Sequence, residues 1–274
     1  MEPLINLLND PIMEVRYEAV IALGELDEQR AIKPLINALE DKSPIVQNEA
    51  IKALGKLGAR EALPKIFQVL RSEKWREVDI WSRTEALRGF KDKLKSPQVL
   101  PILKELLNDK QSAKIQGSVV AREAAFILAV YYNDPSGAEL LRKYLRADDY
   151  SQQDACIALS KLKYKPAVPD IGELVLHSYW IPNRRIALEA LLEIGSNLAR
   201  PYLEKLIDDR DPYIRSKAAK ALGIKLAKKE NGEVAKQSFV VDRLQAVDWE
   251  IKQINLSKVG NKEIGYPLLP ERIP

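Results

Sequence analysis

The chain has 274 residues, 46% of them apolar and 30% charged, enough to bury a core and remain soluble. Lys and Arg number 43 against 39 Asp and Glu, a net +4 too balanced to announce a polyanionic partner. A single cysteine, Cys156, excludes an internal disulfide and multi-Cys metal clusters, and a single histidine, His177, excludes paired-His metal sites and leaves His-dependent catalysis little to work with. No run of 18 apolar residues is present, and Met1-Glu2-Pro3-Leu4 lacks the features of a signal peptide, so a cytoplasmic protein with no membrane span is expected.

In chain order, Leu4-Ile5 with Leu7-Leu8 predicts a short opening helix. A ten-residue pattern then begins at Val15 (VRYEAVIALG) and returns at Val46, Ser82, Val120, Ser151, Asn183 and Ile214, in steps of 31, 36, 38, 31, 32 and 31 residues. Its fifth position is alanine in all seven copies: Ala19, Ala50, Ala86, Ala124, Ala155, Ala187 and Ala218. The ninth is large and apolar: Leu23, Leu54, Phe90, Leu128, Leu159, Leu191 and Leu222. The eighth is small in every copy but Ile127. Offsets of i, i+3 and i+4 define one helix face, and small residues on it let a neighbouring helix come close.

A second apolar helix follows each copy, with Pro34, Pro64, Pro101, Pro169 or Pro201 near its start, where a first-turn N–H has no intrahelical partner to lose. Asp10-Pro11, Ser43-Pro44 and Asp211-Pro212 read as caps of first helices, and Gly24, Gly55, Gly195 and Gly223 lie at or near their ends. Each unit is therefore two antiparallel helices in about 31 residues, unable to bury its apolar face alone but able to do so by stacking. The expected fold class is all-α: an α-solenoid, a right-handed superhelix of antiparallel helical hairpins, over residues 1–230. The long steps place insertions around residues 74–82 and 110–118, read as surface loops. Beyond residue 231 the pattern stops. Val240, Leu244, Val247, Ile251 and Ile254 predict a capping helix over 234–256, and residues 260–274 an extended tail.

Chemistry is sparse. Cys156 stands beside Ala155 on a core-forming face and reads as a buried structural thiol, and His177 as the exposed end of a second helix. There is no Gly-rich phosphate loop, and one histidine cannot serve a Ser-His-Asp set convincingly. No cofactor and no metal are expected. The inner surface is expected from the second helices, with Lys33, Asn37, Gln68, Arg71, Glu105, Lys143, Glu173, Arg200 and Glu204 exposed on it. Their mixed charge argues against nucleic acid, which favours a continuous basic stripe. Trp75, Trp81, Tyr131, Tyr132, Tyr179 and Trp180 fall at helix ends or loops and suit protein-interface anchors. A protein or peptide partner is thus the leading expectation, and the sequence leans away from an enzyme.

The repeat columns resemble the short HEAT-like repeats of the phycobilisome-lyase type, most clearly at residues 15–39, 46–70 and 214–223. The resemblance implies that the second column (Arg16, Gln47, Arg83, Ala121, Gln152, Arg184, Arg215) forms inter-repeat ion pairs, with the acidic column Glu18, Glu49, Glu85, Glu123 and Asp154 on the helix surface or in the same ladder. It also raises a bilin lyase subunit, or phycobilisome-processing factor, as an alternative function. The repeated His-Glu pairs of related HEAT-repeat hydroxylases are absent. Trp75 and Asp79 have a spacing similar to a tryptophan and aspartate of the HEAT-like alkylpurine DNA glycosylases, which makes DNA binding a second alternative.

Overall fold

A computed structural model describes residues 1–91, 93–109, 119–147 and 151–224, and among these residues every regular element is helical. The chain divides into two compact units, Met1–Tyr164 and Lys165–Pro274. In the first unit α1 (Glu2–Leu7) packs on α2 (Met13–Glu25) as the expected lone second helix. Helical hairpins follow: α3 (Ile32–Ala38), α4 (Pro44–Leu57), α5 (Leu63–Arg71), α6 (Glu73–Glu77), α7 (Ile80–Arg88), α8 (Leu100–Leu106), α9 (Val119–Tyr132), α10 (Ala138–Tyr144) and α11 (Ser151–Lys161). The second unit contains α12 (Val168–His177), α13 (Ile181–Ile194), α14 (Arg200–Leu206) and α15 (Pro212–Leu222). This is an all-α solenoid of hairpin repeats, as the periodicity predicts. The expected boundary at residue 230, the capping helix at 234–256, the tail and the 110–118 insertion lie outside the described residues.

The alanine column does what its size suggests. All seven alanines are buried, as are all seven large apolar residues four positions on. Each buried leucine side chain contributes about 1.5–3 kcal/mol. First helices α2, α4 and α7 lie so close that a Cβ on Gly24 would stand 2.7 Å from the Ala53 Cβ, and one on Gly55 only 2.4 Å from the Gly89 Cα. Here the small residues set the spacing between helices.

Second helices begin through a single 3-10 turn, for example Gln29–Ala31, Arg60–Ala62 and Asn197–Ala199, and the last residue of each turn is buried. Pro64, Pro101, Pro169 and Pro201 occupy first-turn positions as expected. Two local expectations are corrected. Asp10 does not cap α2, whose N-cap is Ile12; its carboxylate accepts the Ile12 N–H at 2.8 Å and shapes the preceding turn. The 74–82 insertion is not simply a loop, because Ser72 caps the one-turn helix α6 within it by accepting the Trp75 N–H.

The second column forms the ion-pair ladder that the resemblance implies at three arginines, whereas Gln47, Gln152 and Arg215 donate to backbone carbonyls instead. Arg16 bonds both Asp41 oxygens, at 2.7 and 2.9 Å, and donates back to the Asp10 and Pro11 carbonyls. Gln47 donates to the Asp41 carbonyl, Arg83 pairs with Asp109 at 3.2 Å, and in the second unit Arg184 pairs with Asp209. Each such arginine stands about one repeat before its acid, so the ladder ties a first helix to the loop entering the next repeat.

Candidate functional site

The proposed aromatic anchors separate sharply. Trp75, expected at the surface, is 1% exposed. Its indole N–H donates to Asn48 Oδ1 at 2.9 Å on α4, and the buried Arg83 guanidinium stacks 4.3 Å above its ring. The cause is α6, whose single turn swings Trp75 into the slot between α4 and α7. Trp75 is a core residue and is withdrawn as an anchor. Asp79 caps α7 by accepting the Ser82 N–H at 3.0 Å, and hydrogen bonding to Ser82 holds its carboxyl below the usual range. With Trp75 buried and Asp79 capping a helix, the pair offers no base-excision site, and the DNA-glycosylase reading is overturned.

Trp81, six residues further, is 77% exposed on the first turn of α7, and Tyr179 is 83% exposed just before α13. Tyr131 and Tyr132 are half-buried on the last turn of α9. The Tyr132 hydroxyl donates to the Phe90 carbonyl at 3.2 Å and accepts the Ser96 N–H at 3.3 Å, so it fastens the fold. Trp180 is half-buried as the N-cap residue of α13.

The polar candidates do lie on the second helices. Lys33, Asn37, Gln68, Arg71, Glu105, Lys143, Glu173 and Glu204 are exposed, and Arg200 is half-buried. Arg71 and Glu105, on neighbouring second helices, form a two-bond pair at 2.7 and 2.8 Å that holds the Glu105 carboxyl below its usual range. Arg200 pairs with Glu204 at 2.9 Å within α14, and Glu173 stands 3.3 Å from the exposed His177 within α12. Cys156 is fully buried, and burial pushes its thiol up to about 12, a poor nucleophile. Among the described residues no group of three or more His, Cys, Asp or Glu is placed to hold a metal, and no helix is long and apolar enough to cross a membrane.

On the second-helix side a small concavity is lined by Glu40, Lys65, Gln68 and Val69 among others; a wider one lies on the first helices. It is a trough of about 600 Å³ on the first helices, lined by Gly24, Glu25 and Asp27 of the first repeat, Lys52, Gly55 and Lys56 of the second, and Glu85, Arg88, Gly89 and Lys93 of the third. The glycine at the tenth repeat position marked it in the sequence but was read as helix punctuation. The acidic column runs beside it largely neutralised: Glu49 by Lys52, Glu85 by Arg88, and Glu123 by Lys91 at 2.7 Å.

Fold and ladder together define a helical-hairpin repeat protein. Residues 1–88 match the family described as HEAT repeats. The solved structures to which the chain is similar include the following two. One is the complex of CpcE and CpcF of phycocyanin lyase from Nostoc sp. PCC7120, at 22% identity and a TM-score of 0.48, covering 93% of this chain and 94% of that one. The other is human deoxyhypusine hydroxylase in complex with glycerol, at 19% identity and a TM-score of 0.35, covering 81% and 94%. No curated protein matches the sequence.

Proposed function

We propose that the chain is a non-enzymatic scaffold that binds a protein or peptide partner, in a cytoplasmic setting. The observation that carries this reading is the exposure of Trp81, which is 77% exposed on the first turn of α7 while Trp75, six residues earlier, is absorbed by the core. An exposed indole gives up a large hydrophobic gain in the free protein, and a partner that covers it recovers that gain. Tyr179 provides the same opportunity in the second unit. Lys33, Asn37, Gln68, Arg71 and Lys143, together with Glu105, Glu173, Arg200 and Glu204, are the polar side chains that would set selectivity on the second-helix surface.

Affinity capture from the native cell with wild type, Trp81→Ala and Tyr179→Ala tests this. Both substitutions lie at exposed positions, where stability changes by about 0.5 kcal/mol or less. The expected result is partners retained by wild type and lost or depleted with Trp81→Ala, at unchanged melting temperature. An identical partner set for all three proteins overturns the reading.

A further inference from the structure

The ion-pair ladder has a gap at its second rung. Arg16 reaches Asp41, 25 residues on, and Arg184 reaches Asp209 over the same interval, while Arg83 and Asp109 stand 26 apart. In the second repeat the corresponding positions hold Gln47 and Ser72, neither of them charged. Gln47 turns its amide to the Asp41 carbonyl at 2.7 Å, and the Ser72 hydroxyl donates to the Val69 carbonyl and accepts the Trp75 N–H. Both residues line the small cleft on the second-helix side, about 220 Å³ in volume, a size that admits an inserted side chain.

Ser72 ends α5 and starts α6, so the chain turns at once and sets Lys74 on the cleft wall. Leu39 and Val69, both buried, supply the apolar part of the lining. The polar part is unbalanced. Its one carboxylate, Glu40, is held by Lys65 at 2.6 Å. Lys74 and Gln68 are exposed, and among the described residues Lys74 makes no ion pair and the Gln68 side chain no hydrogen bond. The acids of α6, Glu73 and Glu77, are exposed and do not line the cleft. The cleft therefore presents a cation and an amide donor to solvent with no acid of its own to receive them.

We propose that this cleft receives an acidic side chain, aspartate or glutamate, from a peptide segment of the partner. That carboxylate takes the place left by the missing ladder aspartate. Lys74 donates a charge-assisted hydrogen bond to it, stronger than a neutral one, and Gln68 donates a second. Leu39 and Val69 cover its methylene stem. A peptide fits better than nucleic acid, because Glu40 and Glu105 interrupt the lysines of this face and leave a phosphate backbone no continuous track. The inference rests on the reading of the chain as a binder of a protein or peptide, and it gives that partner a chemical feature.

The test is fluorescence anisotropy of rhodamine-labelled deca-glutamate titrated with the intact chain at low salt, with deca-glutamine as the neutral probe. Binding of deca-glutamate alone is expected, weakened by added salt. Lys74→Gln should weaken it by about two- to fivefold, the worth of one half-exposed charge pair. Gln68→Glu should act in the same direction, and Gln68→Lys should tighten binding, a gain that a damaged fold cannot produce. Lys56→Gln removes an exposed lysine from the first-helix side of the same unit and should leave the affinity unchanged. Equal affinity for both probes, no response to the cleft variants, or equal weakening by Lys56→Gln each overturn the assignment. Competition by oligothymidylate with the same dependence on Lys74 and Gln68 also overturns it, since the cleft then takes polyanions in general. Capture from the cell reads the partner through Trp81, whereas this titration reads the cleft through a synthetic probe, so either can fail while the other stands.

Discussion

Trp75 and Trp81 stand six residues apart, and the fold gives them opposite fates. Both were legible as helix-end aromatics, and nothing in residue type or spacing distinguished them. What separates them is local capping: Ser72 starts α6 and Asp79 starts α7, so the chain turns twice and directs one indole inward. Ser72 and Asp79 are of residue types that cap helices, a signal passed over when 74–82 was read as a loop, and the partner slot beside Asn48 is a tertiary feature that no local pattern contains. Two carboxylates of the first unit carry opposite pH signatures. Burial alone pushes Asp41 up, but hydrogen bonds from Arg16 and the Ser43 N–H outweigh it and hold the carboxyl below its usual range. The stability it contributes is therefore present at neutral pH and lost as pH falls through its folded pKa. For Asp154 burial dominates and raises the pKa, against the attraction of Arg122, Lys91 and Arg88 and with the repulsion of Glu123. Its ionised form costs stability at neutral pH, a cost removed as pH falls through the raised value. Thermal unfolding from neutral to acid pH should show Asp41→Asn below wild type and Asp154→Asn above it. Both gaps should narrow on acidification, that of Asp154 from a higher pH. The same sign for both variants contradicts the assignment.

At the scale of the helix, the repeat was legible almost to the residue. The alanine and leucine columns fall where a 3.6-residue period puts them, and all are buried. The second-helix prolines fall in first turns because φ near −65° suits them there. The role of the glycines was less legible. Gly55 looks like a terminator in sequence, yet α4 continues to Leu57 and ends at Gly58, and Gly55 instead faces Gly89 across the interface with α7. Terminator and contact glycines look alike until a neighbouring helix is in place. The two roles give opposite signs for one substitution. Propensity alone predicts that Gly55→Ala stabilises α4 by roughly 1 kcal/mol. The contact predicts net destabilisation of about 1–3 kcal/mol, since the new Cβ meets backbone that cannot rotate away. Urea denaturation distinguishes the two by the direction in which the midpoint moves.

For the molecule as a whole, the hairpin stack was readable because it is written seven times. The side that carries the trough was not. Sequence reasoning looked for a binding surface on the second helices, and it did not foresee that in the first unit repeats one and three also meet on the first-helix side through Asp27 and Lys93. A contact between repeats i and i+2 leaves no periodicity, and the lysine concerned sits in an irregular segment after α7. In a stack of this kind each repeat is held chiefly by its neighbours, so damage should stay local. Hydrogen exchange on the intact chain carrying Gly55→Ala measures this directly. Nesting of small-residue columns predicts faster exchange in α2, α4 and α7, with α11 of the same unit protected as in wild type. Slower exchange in α4, or equal acceleration throughout the first unit, would contradict it.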